Sequence, residues 1–166
     1  MRKKIIIYFS AIILIFLSAC SSDMKKYENS EAMVKDAISV AKLINIDDFK
    51  TVFDKKDVKI LLVDCREESE YKEGHIPGAI NIPRGMLEFS KDLTDRRVKL
   101  YVYSQTTDRA ALAYESLKKL KFSKLSIIEG GWVAWTDKYP DLKEEGSGDA
   151  HKGEAKEEES SGGCGG

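Results

Sequence analysis

The hydrophobic positions fall into short continuous runs, separated by stretches with helical spacing. The runs are KILLVDC (59–65), AINIP (79–83), KLYVYS (99–104) and KLSIIEG (124–130). A continuous apolar run of this length suits a strand that is covered on both faces of a parallel sheet. The longest stretch between them, residues 106–121, has helical spacing, with Thr106 or Thr107 as its cap. Strands that alternate with helices predict an α/β domain with a mostly parallel central sheet and helices on both faces.

The pattern also predicts helices near the two ends of this domain. Residues 31–44 carry apolar side chains at helical spacing and form an extra N-terminal helix. Asp47 can cap a second short helix after it. The other predicted helical segments are 68–74 (a short helix or turn), 85–92 and 132–140. The globular domain is therefore predicted to span residues 31–142.

The first 20 residues have the features of a targeting segment. A basic start (2–4, RKK) precedes an apolar stretch (5–17) that is shorter than the roughly 20 residues of a membrane span. The following Leu-Ser-Ala-Cys resembles the lipobox of bacterial lipoproteins. That resemblance implies cleavage before Cys20, acylation of its thiol and attachment to the cell envelope. Because Ser21 follows, the outer membrane is favoured where the cell has one. An ordinary signal peptide or an uncleaved anchor is the alternative.

On this interpretation, residues 1–19 are a lipoprotein signal peptide and residues 20–30 are a lipidated tether. The other end of the chain differs in composition from the domain. Residues 143–166 contain no large apolar side chain, so we predict a disordered, acidic, Gly/Ser-rich tail that ends in GGCGG. His151 lies in this tail and is predicted to be solvated.

Composition excludes several classes of function. Removal of the signal peptide leaves 24 basic and 28 acidic side chains, and no basic stripe favours binding to nucleic acid. The two histidines and the two remaining cysteines are too scattered for a metal site, and no cofactor is predicted. Two cysteines do not make a disulfide framework, so the fold depends on its core. The oligomeric state does not follow from the sequence.

Two segments of the predicted domain resemble a known family. The first is VDCREESEYKEGHIPGAINIP (63–83), with Asp-x-Arg-Glu at a strand end and then Gly-His-Ile-Pro-Gly-Ala. It resembles the front half of a rhodanese (sulfurtransferase) domain. The second is IIEGGWVAW (127–135), which resembles the closing Gly-Gly-x-x-x-Trp segment of the same family. The resemblance covers residues 45–140 in the family's order, and it implies a rhodanese-like three-layer domain.

The loop after KLYVY stands where the family has its active loop, of pattern Cys-x-x-Gly-x-Arg. In the family, the cysteine carries a sulfur atom as an anionic persulfide. Backbone amides, a helix N-terminus and the arginine stabilise this charge. The six positions here are Ser104, Gln105, Thr106, Thr107, Asp108 and Arg109. We therefore expect an anion-binding loop in which Arg109 matches the family pattern.

Two positions of the loop depart from that pattern. Ser104 stands in place of the cysteine, and Thr107 stands in place of the glycine. A serine hydroxyl cannot carry a stable persulfide, and it stays protonated unless a base activates it. A β-branched threonine resists positive φ, which predicts a reshaped loop. The adjacent Asp108 adds a negative charge beside the anion site.

Other residues of the resemblance are given supporting roles. Asp64 and Arg66 lie at the carboxyl end of a strand, where open α/β sheets place their sites. We predict that they brace the loop and take no direct part in chemistry. His75 precedes a Pro-Gly turn, and we predict that it is a turn and packing residue and not a catalytic one.

Two cysteines could replace the missing loop thiol. Cys65 is predicted to pack as a small hydrophobic residue, and the alternative is a thiol that communicates with the pocket. Cys164 lies between glycines near the end of the chain. It is either a chance cysteine in a low-complexity tail or a sulfur carrier or modification site on a mobile arm.

Two classes of function remain. In the first, the protein is an envelope-anchored rhodanese-like domain that is degenerate for standard sulfurtransferase chemistry and binds a small sulfur anion or a partner protein. In the second, it is a sulfurtransferase or sulfur carrier that uses Cys164 or Cys65 in place of the loop cysteine. In either class, Cys20 attaches the protein to a membrane. Activity with thiosulfate or a persulfide donor distinguishes the two classes.

Overall fold

The computed structural model describes residues 27–55 and 59–146. The predictions for the targeting segment, Cys20, His151 and Cys164 lie outside these residues. The contacts within the chain divide it into two units, Met1–Ser30 and Glu31–Gly166, and the description below concerns the second. No helix among the described residues is both long enough and apolar enough to cross a membrane.

Within residues 27–55 and 59–146, five parallel strands form the central sheet. They are β1 (Leu43–Ile44), β2 (Ile60–Asp64), β3 (Ile80–Asn81), β4 (Lys99–Tyr103) and β5 (Leu125–Ile128). Their order across the sheet is β1-β5-β4-β2-β3, and all four ladders are parallel. The predicted α/β fold with a parallel sheet is confirmed.

Helices connect the strands and cover both faces of the sheet. They are α1 (Ser30–Val40), α2 (Ile46–Phe53), α3 (Glu68–Glu73), a 3₁₀ helix (Arg84–Phe89), α4 (Asp108–Lys119) and α5 (Gly131–Lys138). The predicted helix over 85–92 is therefore a 3₁₀ helix, and the others, apart from the C-terminal end of α1, begin and end close to their predicted bounds.

Successive side chains along a strand point to opposite faces of the sheet, so the core has one layer on each face. In β4, Leu100 and Val102 lie in a cluster with Leu117 of α4 and with the 3₁₀ helix. Tyr101 and Tyr103 lie in a second cluster, whose helical members include Phe49 of α2, Tyr71 of α3 and Trp135 of α5. Each fully buried large side chain contributes roughly 1.5–3 kcal/mol through burial. This three-layer arrangement holds the carboxyl ends of β2 and β4 side by side.

Two predictions at the N-terminal side of the domain were wrong. The helix predicted to reach Ile44 ends at Val40, and Leu43–Ile44 instead pairs with β5. Helical spacing alone could not reveal this, because the pairing with β5 is a long-range contact. The cap of α2 is Asn45, whose side chain accepts hydrogen bonds from the amides of Asp47 and Asp48. Asp47 therefore lies in the first turn of α2.

Candidate functional site

The carboxyl ends of β2 and β4 bring the predicted site residues together. Asp64 pairs in register with Tyr103, so the residues that follow each strand are neighbours at one edge of the sheet. After β2 the chain continues into Cys65 and Arg66, and after β4 it enters the loop of residues 104–109. This edge is where open α/β sheets bind ligands.

The Ser104 hydroxyl is buried and fully engaged by the loop itself. Its Oγ donates to the carbonyl of Thr106 (2.8 Å) and accepts from the amide of Ala110 (3.2 Å). Ser104 as a whole is 1% exposed to solvent. Because the hydroxyl proton is directed to a carbonyl and not to a base, the oxygen is not set up as a nucleophile.

The N-terminus of α5 supports the loop. The amide of Trp132 donates to the carbonyl of Ser104 (2.8 Å), and the amide of Val133 donates to the carbonyl of Gln105 (3.1 Å). The approach requires glycine at the start of α5, since a Cβ on Gly131 would lie 2.2 Å from the Ser104 carbonyl oxygen. Two of the loop's carbonyls are therefore held toward α5.

Thr107 fits the loop without strain. Its φ is −77° and its ψ is −27°, so this position does not need the positive φ that glycine would allow. Thr107 is the N-cap residue of α4 by position, but its hydroxyl accepts a hydrogen bond from the amide of Gly130 (2.9 Å) and not from α4. The predicted conflict at Thr107 is therefore absent, and the threonine ties the loop to α5.

Successive amides of the loop remain available for a ligand. Within 27–55 and 59–146, no group accepts a hydrogen bond from the backbone amides of residues 105–109. These amides precede and begin α4, whose N-terminus carries a partial positive charge. Such an arrangement binds small anions.

Arg109 is directed to α3. Its two terminal nitrogens each donate to one carboxylate oxygen of Glu70, at 2.7 Å. Glu70 is itself held in place because it accepts from the amide of Glu67 (3.0 Å) in a capping box. The hydrogen bond from Arg109 lowers the pKa of Glu70, and the same bond raises the pKa of Arg109. This pairing was not predicted from the sequence, since Glu70 and Arg109 lie 39 residues apart.

Asp64 and Arg66 form a buried ion pair beside the loop. The Nη2 atom of Arg66 lies 2.6 Å from Oδ2 of Asp64 and 2.6 Å from the carbonyl oxygen of Gly74. Its Nη1 atom donates to the side-chain oxygen of Gln105 (3.3 Å), and the guanidinium lies 4.9 Å from the Trp132 ring centroid. Arg66 thus contacts the loop through Gln105. Bracing of the loop by this pair stays a prediction.

Cys65 lies next to Ser104 but is closed off from solvent. Its amide donates to the Tyr103 carbonyl (2.9 Å), and its side chain lies in the core layer with α4. Burial raises the pKa of the thiol to about 12, and the charge of Asp64 adds to this. Arg109 and a hydrogen bond with Ser104 act in the opposite direction and do not offset the burial. The thiol is protonated at neutral pH, which agrees with a packing role.

His75 is a packing residue in the structure. Its ring is stacked on Tyr71 with 3.7 Å between the centroids, and its Nδ1 lies 3.0 Å from the Tyr71 carbonyl oxygen. The backbone of His75 also exchanges two hydrogen bonds with Glu144, at 2.9 and 3.0 Å. The sequence assigned Glu144 to the tail, because nothing apolar marks residues 143–146. The structure shows these residues paired with the domain.

A groove of about 540 Å³ opens beside the loop. Its lining includes Glu70 and Glu73 of α3, Gln105 of the loop, Trp132 and Thr136 of α5, and Lys143. The groove is polar and carries side chains of both charges. Among the described residues, no group of three or more His, Cys, Asp or Glu side chains is placed to hold a metal ion.

The fold and the loop define a class of protein: a small α/β domain in which a loop with unpaired backbone amides, among the described residues, joins a central strand to a helix. A family model for the rhodanese-like domain matches residues 45–138. The chain therefore belongs to the rhodanese-like domain family.

Individual relatives agree with this assignment. The chain is 30% identical over 118 residues to a candidate mitochondrial thiosulfate sulfurtransferase of Schizosaccharomyces pombe, covering 60% of this chain and 83% of that protein. It is 30% identical over 95 residues to a candidate sulfur carrier protein of Bacillus subtilis, YrkF, covering 57% of this chain and about half (51%) of that protein. A rhodanese-like domain protein of Staphylococcus aureus has the same fold, with a TM-score of 0.56, 25% identity and coverage of 64% and 99% of the two chains.

Proposed function

We propose that this rhodanese-like domain binds a small sulfur-containing anion at the loop of residues 104–109, without passing through a persulfide on residue 104. One observation carries the proposal. The Ser104 hydroxyl is hydrogen-bonded on both sides within the loop, whereas no described residue accepts from the amides of residues 105–109. The loop thus offers donors for an anion and offers no sulfur atom at its first position.

The charges around the loop favour a weak site. Arg66 is paired with Asp64, and Arg109 is paired with Glu70, so neither arginine leaves a net positive charge. Asp108 adds a negative charge at the first residue of α4. The binding energy of an anion must therefore come from amides and the helix N-terminus, each of which contributes modestly. Thiosulfate, with several acceptor oxygens, fits such donors.

A titration with thiosulfate tests this proposal. The amide resonances of residues 105–109 should shift in ¹⁵N–¹H spectra as thiosulfate is added, and equal ionic strength of chloride should not move them. Asp108→Asn should tighten binding by up to about tenfold, since a unit charge and the thiosulfate dianion at roughly 6 Å in water repel each other by about 1.4 kcal/mol. Asp95→Asn is the matched control, because Asp95 precedes β4 at the opposite end of the sheet. Equal effects of the two substitutions, or shifts that spread evenly over the domain, would exclude the loop as the site.

The proposal extends to attachment of the domain at the cell envelope through Cys20. Its support is the order of residues 1–20: a basic start, a short apolar stretch and Leu-Ser-Ala-Cys. Acylation at Cys20 would supply the several chains that stable anchoring needs. Cells grown with labelled palmitate should incorporate the label into the protein, and Cys20→Ser should remove it. Cys164→Ser is the matched control, and loss of label in that variant instead would overturn the assignment to Cys20.

A further inference from the structure

A lysine stands at the start of four of the five strands in the described residues. Lys42, Lys59 and Lys124 directly precede β1, β2 and β5, and Lys99 is the first residue of β4. All four residues are exposed. Because the strands are parallel, their starts lie at one edge of the sheet, opposite the candidate site. The four lysines are far apart in the sequence, so only the fold brings them together.

The turns that lead into β4 and β5 add two exposed cations, Arg97 and Lys121. The register defines the centre of the group. The amide of Leu100 donates to the carbonyl of Lys124 (2.9 Å), so Lys99 and Lys124 lie side by side on neighbouring strands. With strands about 4.8 Å apart, the row from β1 to β2 is roughly 14 Å wide. We name this group of residues the basic edge: Lys42, Lys59, Arg97, Lys99, Lys121 and Lys124.

Most charges of the basic edge are not neutralised within the domain. Among residues 27–55 and 59–146, no carboxylate forms an ion pair with any of its lysines. Arg97 pairs with Asp95 (3.6 Å), but the Arg97 side chain is 93% exposed and the pair is weak. The pKa of Asp95 is lowered first by a hydrogen bond from the Arg97 amide, and the charge of Lys59 contributes. Asp95 is therefore shared between two cations, and the edge keeps a net positive charge.

The opposite end of the sheet has the opposite charge. Exposed acidic residues follow the ends of β2, β4 and β5, namely Glu67, Asp108 and Glu129. The length of β4, from Lys99 to Tyr103, separates the two ends by roughly 13 Å. This exceeds the Debye length of about 8 Å at physiological ionic strength. An anionic surface that touches the basic edge is therefore little repelled by these carboxylates.

We propose that the basic edge docks on a membrane surface that contains anionic phospholipid, with the candidate site facing away from that surface. Lysine side chains act as mobile point charges, and they are attracted to anionic headgroups without a fixed geometry. A row of unpaired lysines across one flat end of the domain fits such a surface. The attraction is electrostatic, so it does not require acylation at Cys20, and it involves none of the residues of the loop.

The composition of the basic edge fits a lipid surface better than a protein or a nucleic acid. A specific protein interface has an apolar centre in which lysine is depleted. Among the described residues, Val40 is the only exposed large apolar side chain within three residues of a strand start. Single-stranded nucleic acid stacks on exposed aromatic rings, but Phe122, the aromatic residue beside Lys121, is 1% exposed.

Cosedimentation with vesicles tests the proposal. The protein is the full chain with Cys20→Ser, so that acyl chains make no contribution. The vesicles are phosphatidylcholine alone or an equal mixture with phosphatidylglycerol. The edge variant combines Lys59→Gln, Lys99→Gln and Lys124→Gln. The control variant removes the same charge from lysines that already have carboxylate partners and lie outside the basic edge, by Lys72→Gln, Lys138→Gln and Lys143→Gln.

A lysine close to an anionic membrane strengthens binding about fivefold. The edge variant should therefore bind the mixed vesicles at least about tenfold more weakly than the parent, and the control variant should stay within about threefold. Binding to phosphatidylcholine alone should be the same for all three proteins. Equal weakening of both variants would mean that net charge alone matters, and would overturn the proposal. Loss of binding to duplex DNA in the edge variant, with vesicle binding unchanged, would assign the edge to nucleic acid and would also overturn it.

A dye at each end of the sheet measures the orientation and leaves every lysine in place. Ser123→Cys labels the basic edge, and Glu73→Cys labels the rim of the groove. Both proteins also carry Cys20→Ser and Cys164→Ser, and the remaining Cys65 is buried. On mixed vesicles, energy transfer to an acceptor on the lipid headgroups should be greater from residue 123 than from residue 73. Equal transfer from the two positions, or greater transfer from residue 73, would contradict the proposed orientation.

Discussion

Removal of the Asp64 carboxylate should be among the most destabilising substitutions in the domain. The carboxylate accepts from Nε of Arg66 at 3.1 and 3.0 Å, from its Nη2 at 2.6 Å and from its backbone amide at 2.9 Å. The side chains of Asp64 and Arg66 are 0% and 2% exposed. Asp64→Ala therefore leaves a guanidinium in the interior without its counter-charge.

The magnitude follows from the burial of the pair. Breaking a buried ion pair by removing one partner costs about 3–5 kcal/mol of unfolding free energy. Arg66 retains hydrogen bonds to Gly74 and Gln105, which places the expected loss near the lower end, at about 3 kcal/mol. For a domain of this size, that loss lowers the melting temperature by roughly 12–24 °C.

Urea unfolding, followed by tryptophan fluorescence, measures the effect. Both tryptophans lie in α5, and Trp135 is fully buried, so the signal reports on the core. Glu68→Ala is the control, since Glu68 pairs with Lys72 across one turn of α3 with both side chains about half exposed. Its loss should stay below about 0.5 kcal/mol. If Asp64→Ala cost less than about 1 kcal/mol, our description of a buried and fully paired Arg66 would be refuted.

Three further predictions follow from the same site. Gly131→Ala should cost at least about 2 kcal/mol of unfolding free energy, because the φ of Gly131 is +57° and the new Cβ would lie 2.2 Å from the carbonyl oxygen of Ser104. Gly85→Ala is the control and should be nearly neutral, because a Cβ at Gly85 would meet open space. Equal losses for the two variants would contradict the packing of the loop on α5. The pKa of Glu70 is held below its ordinary value of 4.5 by the hydrogen bond from Arg109, so the pair stabilises the fold above pH 4.5 and this contribution is lost as the pH falls further. Acid unfolding of Glu70→Gln should therefore show a flatter dependence on pH below 4.5, and an unchanged slope would rule out the pairing. Iodoacetamide at pH 8 should leave Cys65 unmodified until urea unfolds the chain, because burial raises its pKa to about 12; rapid modification of the native protein would show an open thiol.

The sequence was sufficient for the architecture because the strands of a buried parallel sheet are continuous apolar runs. Those runs located β2 and β4, and parallel pairing then placed Asp64, Arg66 and Ser104 at one edge. The period of two in β4 likewise follows from its residues, with tyrosines on one face and aliphatic side chains on the other.

The features that the sequence did not predict depend on long-range contacts. The two residues of β1 form a strand only because β5 offers them an edge. The partner of Arg109 is Glu70, 39 residues away, and no local pattern distinguishes Glu70 from the other acidic residues of α3. Residues 143–146 have the composition of a tail and are nevertheless fixed by backbone hydrogen bonds to His75 and Lys72, which carry no side-chain signature.

The most direct test of the central claim is thiocyanate production from thiosulfate and cyanide by the wild-type chain and by Ser104→Cys, with peptide mapping of any added sulfur. In the reaction, the outer sulfur of thiosulfate is transferred to a thiolate, sulfite leaves, and cyanide then removes the sulfur as thiocyanate. We predict no turnover by the wild-type chain, and added sulfur with turnover in Ser104→Cys, because the amide of Ala110 already donates to the side chain at that position and the amides of residues 105–109 have no acceptor among the described residues. Turnover by the wild-type chain, with sulfur on Cys164 or Cys65, would contradict the claim and identify a sulfurtransferase with a relocated nucleophile.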